Sequence, residues 1–309
     1  MATVGVQPRN TRAEPDGDTD AAALFHLTEA RLPALIPPGH AGETAILFEA
    51  ARSALLGRGK RARPILSMLA CAHVGGRPQD ALDYGCAVEI VHAASLVLDD
   101  LPCMDDATLR RGATALHLAH GEDAAVLVSI ALLNQAHRTV LGVEGLTAEQ
   151  RLGLLNELTS AVGFGGLAHG QVRDLRDGAE ARTEAGLRRL NHLKTGALIV
   201  AALRGGGIIG GATAAQLEAL TRFGDCIGFA FQLSDDLADV SSTAETLGKD
   251  VAQDRDKLTF VDLWGVGRVR AAVRQAVDRA EEALTAQCSG DDRLGDYVRG
   301  LLLNVGAAR

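Results

Sequence analysis

Apolar residues recur at helical spacing along most of this chain. Residues 21–56 carry two such stretches, divided at Pro37, Pro38 and Gly39, where a helix cannot run on. A third starts near Pro64, a residue suited to a first helical turn, and continues through ILSMLACAHV. A fourth spans residues 79–101 and stops at Pro102. Helical periodicity returns over residues 123–140, over 147–176, in NHLKTGALIVAAL, in FAFQLSDDLADV and over 268–305. These patterns predict an all-α fold. Residues 1–20 lack the periodicity, contain Pro8 and Pro15, and read as a disordered tail before a single domain spanning 21–309.

Composition narrows the picture. With 309 residues and 47% hydrophobic content the chain can bury a large core, and no internal boundary divides it. A net charge of −8 and 3% aromatic residues argue against a nucleic-acid partner. The start of the chain has no apolar core behind a basic segment, so it is not read as a signal peptide. No apolar run is expected to span a bilayer. Cys71, Cys86, Cys103, Cys226 and Cys288 show no paired metal spacing, and free thiols in a reducing cytoplasm are expected.

The candidate chemistry centres on VEIVHAASLVLDDLPCMDDATLRRG, residues 88–112. An apolar helix delivers Asp99 and Asp100 at its end, followed by Asp105, Asp106, Arg110 and Arg111. Burying ionised carboxylates costs several kcal/mol without a counter-charge, and a divalent cation favours such oxygen ligands. The arginines suit a phosphate that the same metal would touch. A second cluster, Asp235, Asp236 and Asp239, again follows an apolar run, with Asp235 and Asp239 on one helix face. Two such clusters across one cavity would hold Mg2+ and a diphosphate between them.

Other positions stay open on residue type alone. GRGKRARP, with Lys60, Arg61 and Arg63, is either a solvated loop or a phosphate site at a helix start. His92, two turns before Asp99, is either a core histidine or part of the cavity. His117 and His120 lack a third ligand and are not read as a metal pair. Gln171 and Asp174 lie one turn apart and suit a polar wall. Lys194, with Thr195 in an apolar helix, must snorkel outward or meet an anion. The glycine run 205–207 lacks the strand and the Lys-Ser/Thr ending of a phosphate loop. The polar segment 247–257, with Lys249 and Lys257, reads either as a lid or as a surface loop.

Taken in order, GKRARP, DDLPCMDDATLRRG, GQVRDL, KTGAL, FQLSDDLAD and LGKD resemble the trans-isoprenyl diphosphate synthases, over roughly residues 57–260. The segment around Asp99 is most similar to bacterial geranylgeranyl diphosphate synthases of carotenoid pathways. The resemblance implies a single bundle of long antiparallel helices around a deep central cavity, in a homodimer. It implies three Mg2+ ions held by Asp99, Asp100, Asp105, Asp235 and Asp239. Arg110, Lys194 and Lys249 would hold the allylic diphosphate, whether dimethylallyl, geranyl or farnesyl. Lys60, Arg63, His92 and Arg111 would hold isopentenyl diphosphate. Lys194, Thr195 and Gln232 would act near the reacting carbons. The small residues Ala94 and Ser95, one turn before Asp99, would let the product grow to C20, where a bulky aromatic gives C15. The chain departs from many relatives at Ala107 and Thr108, where they carry aspartates, and at Ser129 and Ile130, where they carry Gly-Asp.

Overall fold

The structure is a computed structural model that describes residues 20–39, 45–176, 183–241, 258–285 and 291–303. It is helical apart from one small hairpin. The helices are α1 (Ala21–Leu35), α2 (Ala45–Leu56), α3 (Ala62–His73), α4 (Leu82–Asp99), α5 (Leu116–His120), α6 (Glu122–Gly142) and α7 (Ala148–Val162). There follow α8 (Leu167–Arg176), α9 (Glu184–Asn191), α10 (Ala197–Ile209), α11 (Ala214–Ser241), α12 (Phe260–Thr285) and α13 (Arg293–Leu303). Strands β1 (Leu109–Arg110) and β2 (Ala113–Thr114) pair antiparallel, Leu109 with Thr114 and Arg110 with Ala113.

Two apolar cores share helices α1 and α10. Leu32, Leu55, Ile90, Leu132, Leu158 and Ala202 belong to the first, which joins α1, α2, α4, α6, α7 and α10. Leu24, Leu66, Leu203, Phe223, Val277 and Val298 belong to the second, which joins α1, α3, α10, α11, α12 and α13. Helix α10 contributes to both because it is apolar all round, with Leu198 and Ala202 on one side and Ile199 and Leu203 on the other. Its glycine run lets neighbours approach to backbone contact. A Cβ at Gly205 would lie 1.9 Å from the Tyr84 ring, and one at Gly206 would lie 2.0 Å from the Ser67 carbonyl. The run is therefore a packing device. Tyr84 closes the same crossing by donating its hydroxyl to the Ala201 carbonyl at 3.0 Å.

The sequence pattern and the structure differ in four places. The stretch 147–176 divides into α7 and α8 at a turn over 163–166 so tight that a Cβ at Gly166 would sit 1.9 Å from the Ala161 carbonyl. The chain at 192–196 forms a π turn rather than continuous α-helix. The C-terminal stretch starts at Phe260, breaks at Gly265 with φ at 75°, and separates α12 from α13. Finally, the segments Pro78–Asp99 and Glu122–Gly142 are long and apolar enough to cross a membrane by length and composition, contrary to the expectation from sequence. The first of them lies mostly inside the bundle.

Candidate active site

Helix α4 ends at the acidic pole of the site. Beyond Asp99 the chain folds back on the helix end: the Asp105 N–H donates to the Asp99 carbonyl at 2.9 Å, and the Ala107 N–H to the Asp100 carbonyl at 3.2 Å. Pro102 and Cys103 are looped out, exposed, and Asp105 returns to within electrostatic reach of Asp99. Asp99 lines the central cavity together with Asp235 of α11. Burial, which Lys194 opposes, pushes the Asp99 carboxyl up to about 6. Such a group is ready for a cation. Ala107 is buried at the base of this turn.

Asp100 faces away from the cavity. It is 2% exposed and accepts from Nε of Arg110 at 2.8 Å and again from Nη2. The next residue, Arg111, points the other way and places Nη2 3.3 Å from Nε2 of His92. The hairpin explains the division. Arg111 and Gly112 form its two-residue loop with φ of 55° and 81°, and such loops need positive φ at both positions. Arg110 is fixed in the ladder, while Arg111 leaves it at the turn. Neighbouring arginines thus serve two different groups.

The basic pole lies at the start of α3. Lys60, Arg63, His92 and Arg111 all line the cavity. Nε of Arg63 is buried with no hydrogen-bond partner among the described residues. Arginine is always a donor, so the contact from Arg111 makes Nε2 of His92 an acceptor and the ring neutral. Electrostatics agree: burial, then Arg63, Arg111, Arg110 and Arg61, hold the His92 imidazole well below its ordinary range. Gly59 lies close against Arg111, and a Cβ there would be 2.9 Å from its guanidinium.

The π turn supplies a third part. Lys194 and Thr195 line the cavity, and Lys194 Nζ donates to Asp174 of α8 at 2.7 Å. Burial works against the ammonium, yet Asp99 and Asp174 outweigh it and hold Lys194 above the ordinary lysine range. The turn is clamped by glycines. A Cβ at Gly170 would lie 2.9 Å from the Lys194 nitrogen, and one at Gly228 would lie 2.7 Å from the Gly196 Cα. Gln171 also lines the cavity, with its side-chain oxygen buried and unpartnered among the described residues.

Other expected site residues sit at the margin. Asp105, Asp239, Arg110 and Gln232 stand outside the cavity lining; Gln232 donates to Asp236 at 2.8 Å, and Asp236 also accepts from the Phe260 N–H. Lys249, Lys257 and the segment 247–257 lie outside the described residues. Sequence reasoning passed over Glu89, which lines the cavity though 3% exposed. Its signal was a carboxylate inside an otherwise apolar helix, one turn before His92.

Between the poles the cavity, about 1240 Å³, continues into an apolar pocket lined by Leu98, Leu133, Val162, Leu167 and Leu198. Ser95 lines it too. Ala94 is fully buried in the neighbouring core and is not part of the wall. The apolar wall is therefore shared by α4, α6, α7, α8 and α10, a combination the sequence did not identify.

A helical bundle with anion-binding and cation-binding poles above one apolar pocket defines a synthase that handles charged heads on greasy tails. The chain belongs to the polyprenyl synthetase family, whose model matches residues 44–281, and it is a prenyltransferase. It is 40% identical over 270 residues to a geranylgeranyl diphosphate synthase of Pantoea ananas, covering 87% of this chain and 88% of that protein. It is 42% identical to the geranylgeranyl diphosphate synthase of Pseudescherichia vulneris, covering 79% of each. Among solved structures, it resembles a Helicobacter pylori geranyltransferase complexed with magnesium and isoprenyl diphosphate, with a TM-score of 0.81, 26% identity, and coverage of 97% of this chain and 100% of that one. It also resembles an FPP/GFPP synthase of Zymomonas mobilis, with a TM-score of 0.77, 32% identity, and coverage of 91% and 99%.

Proposed function

We propose that this protein condenses isopentenyl diphosphate head to tail with an allylic diphosphate, and that geranylgeranyl diphosphate is its main product. The observation that supports the reading is that Asp99, Asp235, Lys60, Arg63, His92 and Arg111 all line one cavity that also has apolar walls, with Asp235 within electrostatic reach of Arg63. Two diphosphates are needed, and each pole suits one. The likeness to geranylgeranyl diphosphate synthases supports the product assignment.

The acidic pole fits Mg2+. Its donors are carboxylate oxygens only, and burial has already stripped Asp99 of solvation. Among the described residues no three acidic, histidine or cysteine side chains come together as a complete cage. That suits a cation which keeps waters and shares phosphate oxygens, as Mg2+ does. Asp99, Asp105 and Asp235 would hold it, with Asp100 and Asp239 behind them, and three ions per site are proposed. When bound, Mg2+ supplies positive charge against the leaving diphosphate as the allylic C–O bond breaks.

The protein's own groups do the rest. Lys194, kept charged by Asp99 and Asp174, faces the same departing group, with Lys249 proposed to join it. Thr195 and Gln171, which line the cavity, lie beside the path of the cation, with Gln232 acting from the margin through Asp236. Arg63, Arg111, Lys60 and neutral His92 hold the isopentenyl diphosphate so that its double bond meets the allylic carbon. The proton lost after bond formation goes to the released diphosphate, so no nucleophilic side chain is required.

A homodimer is proposed as the working form. Leu127 and Ile130 of α6 are 57% and 52% exposed, beside exposed Val126 and Leu118, an apolar face that a second copy would cover. The test of function is product chromatography of purified protein with Mg2+, isopentenyl diphosphate and each allylic starter. A C20 product is expected. A C15 product would make it a farnesyl synthase, and full turnover after exhaustive chelation would remove the metal from the reading.

A further inference from the structure

Between Lys60 and Arg63 lies Arg61, which does not hold substrate in the reading above. It is 2% exposed, and three elements hold its guanidinium. Nε donates to Glu29 of α1 at 2.5 Å, Nη1 to Glu89 of α4 at 3.2 Å, and Nη2 to the Gly57 carbonyl at 2.7 Å. Its backbone is left-handed, with φ at 47°, at the cap of α3. A residue of this size adopts that conformation only when its surroundings fix it. Glu89 in turn faces the cations of the basic pole: its charge favours the ionised forms of Arg63 and Arg111, against the burial that disfavours them.

We propose that Arg61 is a positioning residue for the isopentenyl diphosphate pocket: by engaging Glu89 it keeps that buried carboxylate from competing with the diphosphate for Arg63 and Arg111. The physical reason is charge balance in a dry site. A diphosphate and Glu89 are both anions within reach of the same two guanidiniums. With Arg61 in place, Glu89 already has a guanidinium N–H donated to it, from Nη1 at 3.2 Å. Without it, Glu89 is a buried carboxylate with only the substrate's arginines to turn to. Arg61 lines the cavity beside Lys60 and Arg63, yet its guanidinium is held by Glu29, Glu89 and the Gly57 carbonyl.

The inference rests on the two-diphosphate reading, and the test separates the two. Steady-state kinetics are measured with each substrate varied in turn for wild type, Arg61→Met, Glu89→Gln and the double variant. Arg61→Met should raise KM for isopentenyl diphosphate at least tenfold and leave KM for the allylic substrate within about twofold. Adding Glu89→Gln should bring the first KM back to within about threefold of wild type. A purely structural role would shift both KM values together, and the second substitution would not restore either. That outcome overturns the inference. If Arg61→Met does not fold, Arg61→Lys takes its place with and without Glu89→Gln: the single variant should raise KM for isopentenyl diphosphate and the double variant should bring it back toward wild type, and parallel shifts of both KM values or no return overturn the proposal. Failure of wild type to join the two diphosphates would instead overturn the functional reading.

Discussion

At the scale of single residues, the site separates side chains that the sequence places side by side. Asp99 faces the cavity while Asp100 is spent on Arg110, so their replacement should have unequal consequences. Asp99→Ala, like Asp235→Ala, should lower kcat at least ~10³-fold with the circular-dichroism helix signal unchanged. Asp100→Ala should lower the melting temperature as well, because it strands the half-buried Arg110. His92 gives a pH signature. Its folded-state pKa lies below that of the unfolded chain, so its contribution to stability is present above about pH 6.5 and is lost as pH falls below that value. The slope is at most about 1.4 kcal/mol per pH unit. Urea denaturation at pH 7.5 and 5.5 should show wild type losing more stability than His92→Gln. The sequence showed most of these residues because charges in apolar helices stand out. It did not show their orientation: Asp100 and Ala94 sit beside lining residues and yet face elsewhere, a matter of helix rotation fixed by distant contacts. Ser95→Phe should accordingly shorten the product, measured by chromatography. Ala94→Phe should instead overpack the core and cost about 1–3 kcal/mol.

At the scale of elements, long helices were legible because their period is local, whereas short irregular pieces were not. The hairpin at 109–114 has two residues per strand, and its turn carries Arg111 where Asn or Asp is the usual sign. The π turn at 192–196 has the composition of ordinary helix, and only the glycines facing it, Gly170 and Gly228, betray a tight fit. Those glycines are on other helices, so the clue is spatial. Gly170→Ala should push on the Lys194 backbone and lower kcat roughly tenfold or more with a smaller change in KM, by disturbing the placement of Lys194 and Thr195. An unchanged kcat would show that the turn has room to give.

At the scale of the whole molecule, the all-helical class followed from the pattern, while the sharing of α10 between two cores did not, since it depends on which apolar faces meet. The exposed face of α6 belongs to this scale too. Ile130→Glu should shift the assembly toward a single chain in analytical ultracentrifugation; persistence of the dimer would place the interface elsewhere. Helix α10 acts as a keel: both halves of the bundle are fastened to it, and the Lys194 turn is joined directly to its leading end. Heat that loosens either half therefore reaches the reactive groups at once, so the enzyme should have no temperature range in which it stays folded yet idle, and its inactivation curve should superimpose on its melting curve.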